Sequence, residues 1–167
     1  MGSGYSTPEE AIVVYRGTVR GTVRFSESDG EVTIRVNLKG LAPGAHGLHI
    51  HECGDLSDGC ASACAHYNPK GTLHGGLHDL ESHAGDLGNI LADEQRTCQM
   101  EFKTRKFTIQ EILGRSLIVH ADPDDLGVNN TELSRTTGDS GERIACEVIG
   151  IAKTKVQVQV QVQGLTG

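Results

Sequence analysis

The stretch HIHECGDLSDGCASACAH, from His49 to His66, places three histidines and three cysteines within eighteen residues. Imidazoles and thiolates are favoured ligands of zinc and copper, and paired thiols also form disulfides. The residues by themselves leave three chemistries open: a cysteine-rich zinc module, a disulfide framework and a redox-metal centre. His49 and His51 are two apart, so on a strand both imidazoles share a face and converge on one ion. His74, His78 and His83 follow in a segment without periodicity, where no packing role is evident, and Asp86 adds a carboxylate three residues after His83. Five cysteines without a CxxC pair argue against a four-cysteine zinc site and allow at most two bridges.

The elements that must position these residues are strands. VTIRVNL (Val32 to Leu38) alternates apolar and polar side chains throughout, and TVRGTVRF puts Val19, Gly21, Val23 and Phe25 on one face. Ser28-Asp29-Gly30 separates those two runs as a hairpin turn, and Ala42-Pro43-Gly44 closes the next. From Glu52 to Asn89 the texture changes to Gly, Asp, Ser, His and Pro, a connection long enough to be functional. Alternation resumes at Cys98, Met100 and Phe102 and again at Phe107 and Ile109. The apolar run SLIVH ends at His120. A second Gly- and Asn-rich loop spans Ala121 to about Glu142, and IACEVIGIA (Ile144 to Ala152) reads as a last buried strand. No segment carries a convincing helical period. The expected fold is all-β, a Greek-key antiparallel barrel or sandwich with two long functional loops.

The chain has 167 residues, enough for one domain with a real core, and with 4% aromatics and no Trp that core must rest on Val, Ile, Leu and Ala. A formal charge of −7 and a pI near 5.5 argue against nucleic acid or an anionic membrane as partner. Residues 1–48 carry five basic and five acidic side chains, so the acidic excess lies beyond them. KTRK (Lys103 to Lys106) is the one basic cluster and reads as a solvated loop. No run reaches transmembrane length and no signal segment precedes the first strand, so a cytoplasmic protein is expected. Three segments follow: a flexible leader at 1–10, a domain at 11–152 and a low-complexity tail at 153–167, whose VQVQVQVQ reads as a disordered extension prone to self-pairing.

Six blocks in order, GLHIHECGD, GCASACAHYNPKGTLHGG, HAGDLGN, GRSLIVH, DDLG and GERIACEVIGIA, resemble the successive signatures of copper/zinc superoxide dismutase from about Ala11 to Ala152. The resemblance implies an immunoglobulin-like Greek-key fold of eight strands. It implies one copper ion held by His49, His51, His66 and His120, and one zinc ion held by His66, His74, His83 and Asp86, with His66 bridging the two. Asp124 matches a carboxylate that links a copper ligand to a zinc ligand, and Cys60 and Cys146 match the intrasubunit disulfide. Arg143 matches the arginine beside the copper. Thr136 stands where a steering lysine is expected, which leaves Arg135 as its candidate replacement. His46 matches a structural position, and His78 matches no ligand. Cys98 reads as a small core residue. Cys53 and Cys64 have no counterpart role; Cys53 stands where a large apolar residue is usual and Cys64 where glycine is usual.

The implied activity is dismutation of superoxide, with Arg143 and His66 as catalytic residues, and a homodimer is implied as well. Two other readings compete: a non-catalytic copper- and zinc-binding protein of the same fold, and a zinc-binding interaction module built from Cys53, Cys60, Cys64 and His66.

Overall fold

The alternating segments become the strands of two antiparallel sheets in a computed structural model that describes residues 8–153. In chain order they are β1 (Glu10–Arg16), β2 (Arg20–Ser28), β3 (Glu31–Lys39), β4 (Gly44–His51), β5 (Ser57–Cys60), β6 (Asp86–Ala92), β7 (Thr97–Thr104), β8 (Ser116–His120), β9 (Arg143–Val148) and β10 (Gly150–Ile151). One sheet has the order β10-β1-β2-β3-β7 and the other β6-β4-β8-β9. The eight strands of the expected fold form the frame. β5 and β10, four and two residues long, are additions to it. The first seven residues and the Val/Gln run lie outside the described residues.

Local chemistry explains the pairing. Asp29 and Gly30 both have positive φ, 54° and 69°, and join β2 to β3 in a two-residue hairpin, the geometry whose twist suits antiparallel neighbours. Val23, Phe25, Val32, Ile34, Val36 and Leu38 all turn inward from these strands. They meet Leu48, Ile50, Ile90, Leu117 and Val119 of the second sheet in one core. The Tyr15 hydroxyl donates to the Leu117 carbonyl at 2.8 Å and so ties β1 to β8 across the sandwich. Cys98 is fully buried among these residues, as expected.

Three expectations need correction. The Phe107–Ile109 alternation is not a strand: Ile109–Ile112 form a single helical turn, α1, started by a capping box in which Thr108 accepts from Glu111 N and Glu111 accepts from Thr108 N. A second short helix, α2 (Glu132–Thr137), and a 3-10 turn at Ala61–Ala63 lie within the long loops. The run IACEVIGIA is neither one strand nor wholly buried. β9 stops at Val148, the buried Ile149 exchanges hydrogen bonds with Gly114 and Arg115, and β10 crosses to the other sheet to pair with β1. Ile144, Val148 and Ile151 are 40%, 41% and 68% exposed. KTRK is not simply solvated: Lys103 belongs to β7 and Lys106 is half-buried, donating to the Gly76 carbonyl and pinning the first long loop to the frame. Among the described residues no helix is long and apolar enough to cross a membrane.

Candidate metal centre

β4 carries His49 and His51 on one face, 0% and 1% exposed. Its neighbour β8 ends on His120. An isolated bridge between His51 and His66 folds the first long loop back over them. One ring nitrogen from each of His49, His51, His66 and His120 lies within 4.8 Å of the others. His49 Nδ1, His51 Nε2, His66 Nε2 and His120 Nε2 are buried without a hydrogen-bond partner. An unsatisfied buried polar atom costs about 1–3 kcal/mol, so four gathered in one place are held there for something else to bind. Four imidazole lone pairs are a donor set that suits copper.

The second set begins on the other nitrogen of His66. His66 Nδ1 lies 2.9 Å from Asp86 Oδ1, His74 Nδ1 3.0 Å and His83 Nδ1 3.2 Å from the same oxygen, while the His66 and His83 Nδ1 atoms are 3.4 Å apart. Ligands at zinc–nitrogen distance on a tetrahedron are separated by about 3.3 Å, so this spacing fits one zinc ion better than a fan of hydrogen bonds converging on one oxygen. His49 also falls within 4.8 Å of His66, His74 and Asp86. It is not the fourth member, because its Nε2 is bonded to Asp124 at 2.8 Å and its one free nitrogen, Nδ1, already belongs to the first set. His83 completes the set. The two sites thus share His66.

Asp124 spans the pair. Its Oδ2 accepts from His49 Nε2 and its Oδ1 from His74 Nε2, each at 2.8 Å, with all three side chains fully buried. Those bonds leave the Nδ1 lone pair of each ring free for metal. Asn89 clamps Asp124 in place: Asn89 Oδ1 accepts from Asp124 N at 2.7 Å and Asn89 Nδ2 donates to the Asp124 carbonyl at 2.8 Å. Gly138, the left-handed cap of α2, passes so close that a Cβ there would stand 2.0 Å from Asp124 Oδ1 and 2.5 Å from His74 Nε2. Replacing Asp124 by asparagine supplies an amide that cannot accept from both rings, and metal affinity is expected to fall roughly 10- to 100-fold. Competitive chelator titration of copper and zinc checks this, and unchanged affinities for both metals would overturn it.

Protonation favours metal binding at the first set, and at the second it makes binding release a proton from His74. Burial, helped by the neighbouring His66, pushes the His49 imidazole down to about 3 against the opposing Asp124 bond. Burial takes His120 down to about 4, although its bond to the Gly141 carbonyl resists. His51 and His66 are lowered for the same first reason. Burial alone would raise Asp86 and Asp124, but hydrogen bonds from the histidines around them hold both well below the usual carboxylate range. His74 goes the other way, up to about 9, because its bonds to Asp124 and Asp86 outweigh burial. At neutral pH the four rings of the first set are therefore neutral ligands, and the carboxylates are charged.

Arg143 opens β9 opposite His120, where the ladder shifts register. Its Nη1 donates to the Cys60 carbonyl at 2.7 Å and its Nη2 to the Cys64 carbonyl at 2.8 Å. Arg135 is exposed and bonds through Nη2 to Asn130. His46 is buried with its ring nitrogens 2.8 and 2.9 Å from the carbonyls of His120 and Ala42, a structural position as expected. His78 is exposed and lies outside both sets. The cysteines overturn one reading. Cys60 pairs with Cys146 and Cys53 with Cys64, so no thiolate remains for a zinc module in the opening stretch. The Cys53–Cys64 bond and the Asn89 clamp went unread in the sequence. The signal for the first was two cysteines without a role; for the second there was none.

A two-sheet β-sandwich holding two buried metal sites bridged by one imidazole defines a histidine-bridged bimetallic protein. The chain matches the family described as copper/zinc superoxide dismutase over residues 19–149. It is 50% identical over 150 residues to a protein of Paramecium bursaria Chlorella virus 1 named Superoxide dismutase [Cu-Zn], covering 87% of this chain and 80% of the relative. Its fold is similar to that in the crystal structure of the clock protein EA4, with a TM-score of 0.87 and 39% identity across 91% of this chain and 100% of that one. The chain belongs to the copper/zinc superoxide dismutase family.

Proposed function

We propose that the chain converts two superoxide anions and two protons into dioxygen and hydrogen peroxide, with the residues of the two sets in the roles their geometry suggests. When bound by His49, His51, His66 and His120, copper supplies the one-electron redox chemistry, and zinc bound by His66, His74, His83 and Asp86 supplies a fixed charge. The chain's own part is to attract, orient and protonate. Arg143 offers a guanidinium at the edge of the copper set, where it can hold a small anion by charge-assisted hydrogen bonds. His66 is placed to carry one proton at Nε2, since that atom is buried without a protein partner while Nδ1 is fixed against Asp86. Asp124 holds His49 and His74 in one tautomer and orientation. Arg135, exposed on α2, is the candidate to take over the role of the missing lysine.

The observation that carries this reading is His66, whose two nitrogens face two different donor sets. Metal analysis together with a superoxide-consumption assay tests it. Copper and zinc near one each per chain with fast turnover is the expected result. Both metals bound without turnover would leave a metal-holding protein of the same fold instead. The family also implies a homodimer, and the part-exposed Ile144 and Val148 of β9 and the exposed Ile151 of β10 are apolar side chains on which one could form. Sedimentation of the same loaded preparation as a monomer at micromolar concentration would remove that part.

A further inference from the structure

Glu52 and Cys53 run antiparallel to the segment that leads into His66: Glu52 N donates to the Ala65 carbonyl at 2.9 Å and Cys53 N to the Ala63 carbonyl at 3.2 Å. Between those anchor points sits Cys64, and its carbonyl does two jobs. It accepts from His51 Nδ1 at 2.9 Å and from Arg143 Nη2 at 2.8 Å. The first bond keeps the proton of His51 on Nδ1 and leaves the Nε2 lone pair free. The second fixes one arm of the guanidinium.

To aim that oxygen, Cys64 adopts φ 66° and ψ −156°, a region that belongs almost wholly to glycine. A side chain at this position would normally drive the backbone out of it. Here the side chain is tied to Cys53, whose own carbonyl accepts from the Ser116 hydroxyl on β8 at 2.7 Å. The bond therefore runs from a strand-anchored residue to the Cβ that makes the conformation unfavourable.

Resting on the dismutase reading, we propose that the Cys53–Cys64 disulfide is a positioning device for the anion site, holding the Cys64 carbonyl where it orients His51 and Arg143 together. Without the tie, Cys64 relaxes towards negative φ, its carbonyl swings away, Arg143 keeps only its Cys60 anchor, and His51 loses the acceptor that fixes its tautomer. Cys60 belongs to the other disulfide, so the guanidinium is braced by one residue from each.

Two variants separate positioning from simple stapling. Cys53→Ser breaks the bond and leaves a side chain at position 64; Cys53→Ser/Cys64→Gly breaks it equally but restores a residue that takes positive φ freely. In the copper- and zinc-loaded protein, azide serves as a small-anion probe, titrated by visible absorption. In the metal-free protein, the 15N shifts of the His51 ring report its tautomer. Cys53→Ser is expected to weaken azide binding about tenfold, the worth of one charged hydrogen bond, and to mix the His51 tautomers. The double variant is expected to recover both readouts while melting no higher than the single one. A pure staple predicts loss of melting temperature in both variants with neither readout moved, and that result overturns the proposal. A double variant as impaired as the single one overturns it too. If the loaded wild type consumes no superoxide, the dismutase reading fails, whereas the His51 tautomer comparison still reports on the carbonyl.

Discussion

Arg143→Ala is expected to lower kcat/KM for superoxide by roughly ten- to a hundredfold at low ionic strength, and to flatten its decline as salt is added. The reasoning starts from charge. The chain carries a formal −7 and its substrate is an anion, so encounter must rely on a local positive region that overrides the global field. Arg143 is the cation placed at the strand end beside His120, and two backbone carbonyls hold its guanidinium in one orientation. Alanine removes both the charge and the fork. Arg143→Lys restores charge without the fork and should keep much of the salt dependence while losing part of the rate, because an ammonium cannot reach both carbonyls and still present donors in a plane. Stopped-flow measurement of superoxide decay against ionic strength distinguishes these outcomes. A wild-type slope and rate in Arg143→Ala would remove this residue from the site.

Cys146→Ser is expected to cost about 4–5 kcal/mol of stability, read as a lower denaturant midpoint together with a steeper slope, since the unfolded chain without the bridge is less compact. The Cys60–Cys146 bridge spans 86 residues of sequence, and releasing that closure returns conformational entropy to the unfolded chain. The Cys53–Cys64 bridge spans 11 and is worth about 3 kcal/mol on the same basis. The larger effect has a functional side. Cys146 lies three residues from Arg143 on β9, and Cys60 supplies one of its carbonyl anchors. Losing the bond should therefore loosen the arginine as well as the fold. A stability loss below about 1 kcal/mol would overturn the prediction.

The sequence was most legible where one face of a strand is buried. VTIRVNL and TVRGTVRF could be read residue by residue because burial on one side forces a period of two. It was least legible where backbone is shaped by single contacts. α1 and α2 are four and six residues long, too short to show a helical period, although TIQE at Thr108 to Glu111 carried the capping-box pattern. IACEVIGIA looked continuous because composition does not reveal that Ile149 is the point where the chain changes sheets. At the site, the spacing of His49 and His51 was informative alone. His74, His83 and Asp86 were visible as neighbours in one aperiodic segment, but only the resemblance joined them to the distant His120 and Asp124 before the fold did. Cys53 and Cys64 were visible as departures, but connectivity does not follow from spacing.

The two metal sites are supported unequally. Three copper-set histidines stand on β4 and at the end of β8, neighbours in one sheet whose intervening side chains, Leu48, Ile50, Leu117 and Val119, are core. That half of the centre keeps its shape for as long as the sandwich does. His74 and His83 stand instead in the 52–85 loop, where Ala63, Tyr67 and Ala84 are the buried apolar side chains, too few to act as a core. That segment is held by the two disulfides, by the Lys106 bond to the Gly76 carbonyl and by the contacts among the zinc-set side chains. Metal removal is therefore expected to loosen the zinc side of His66 more than the copper side, where the ligands stand on paired strands.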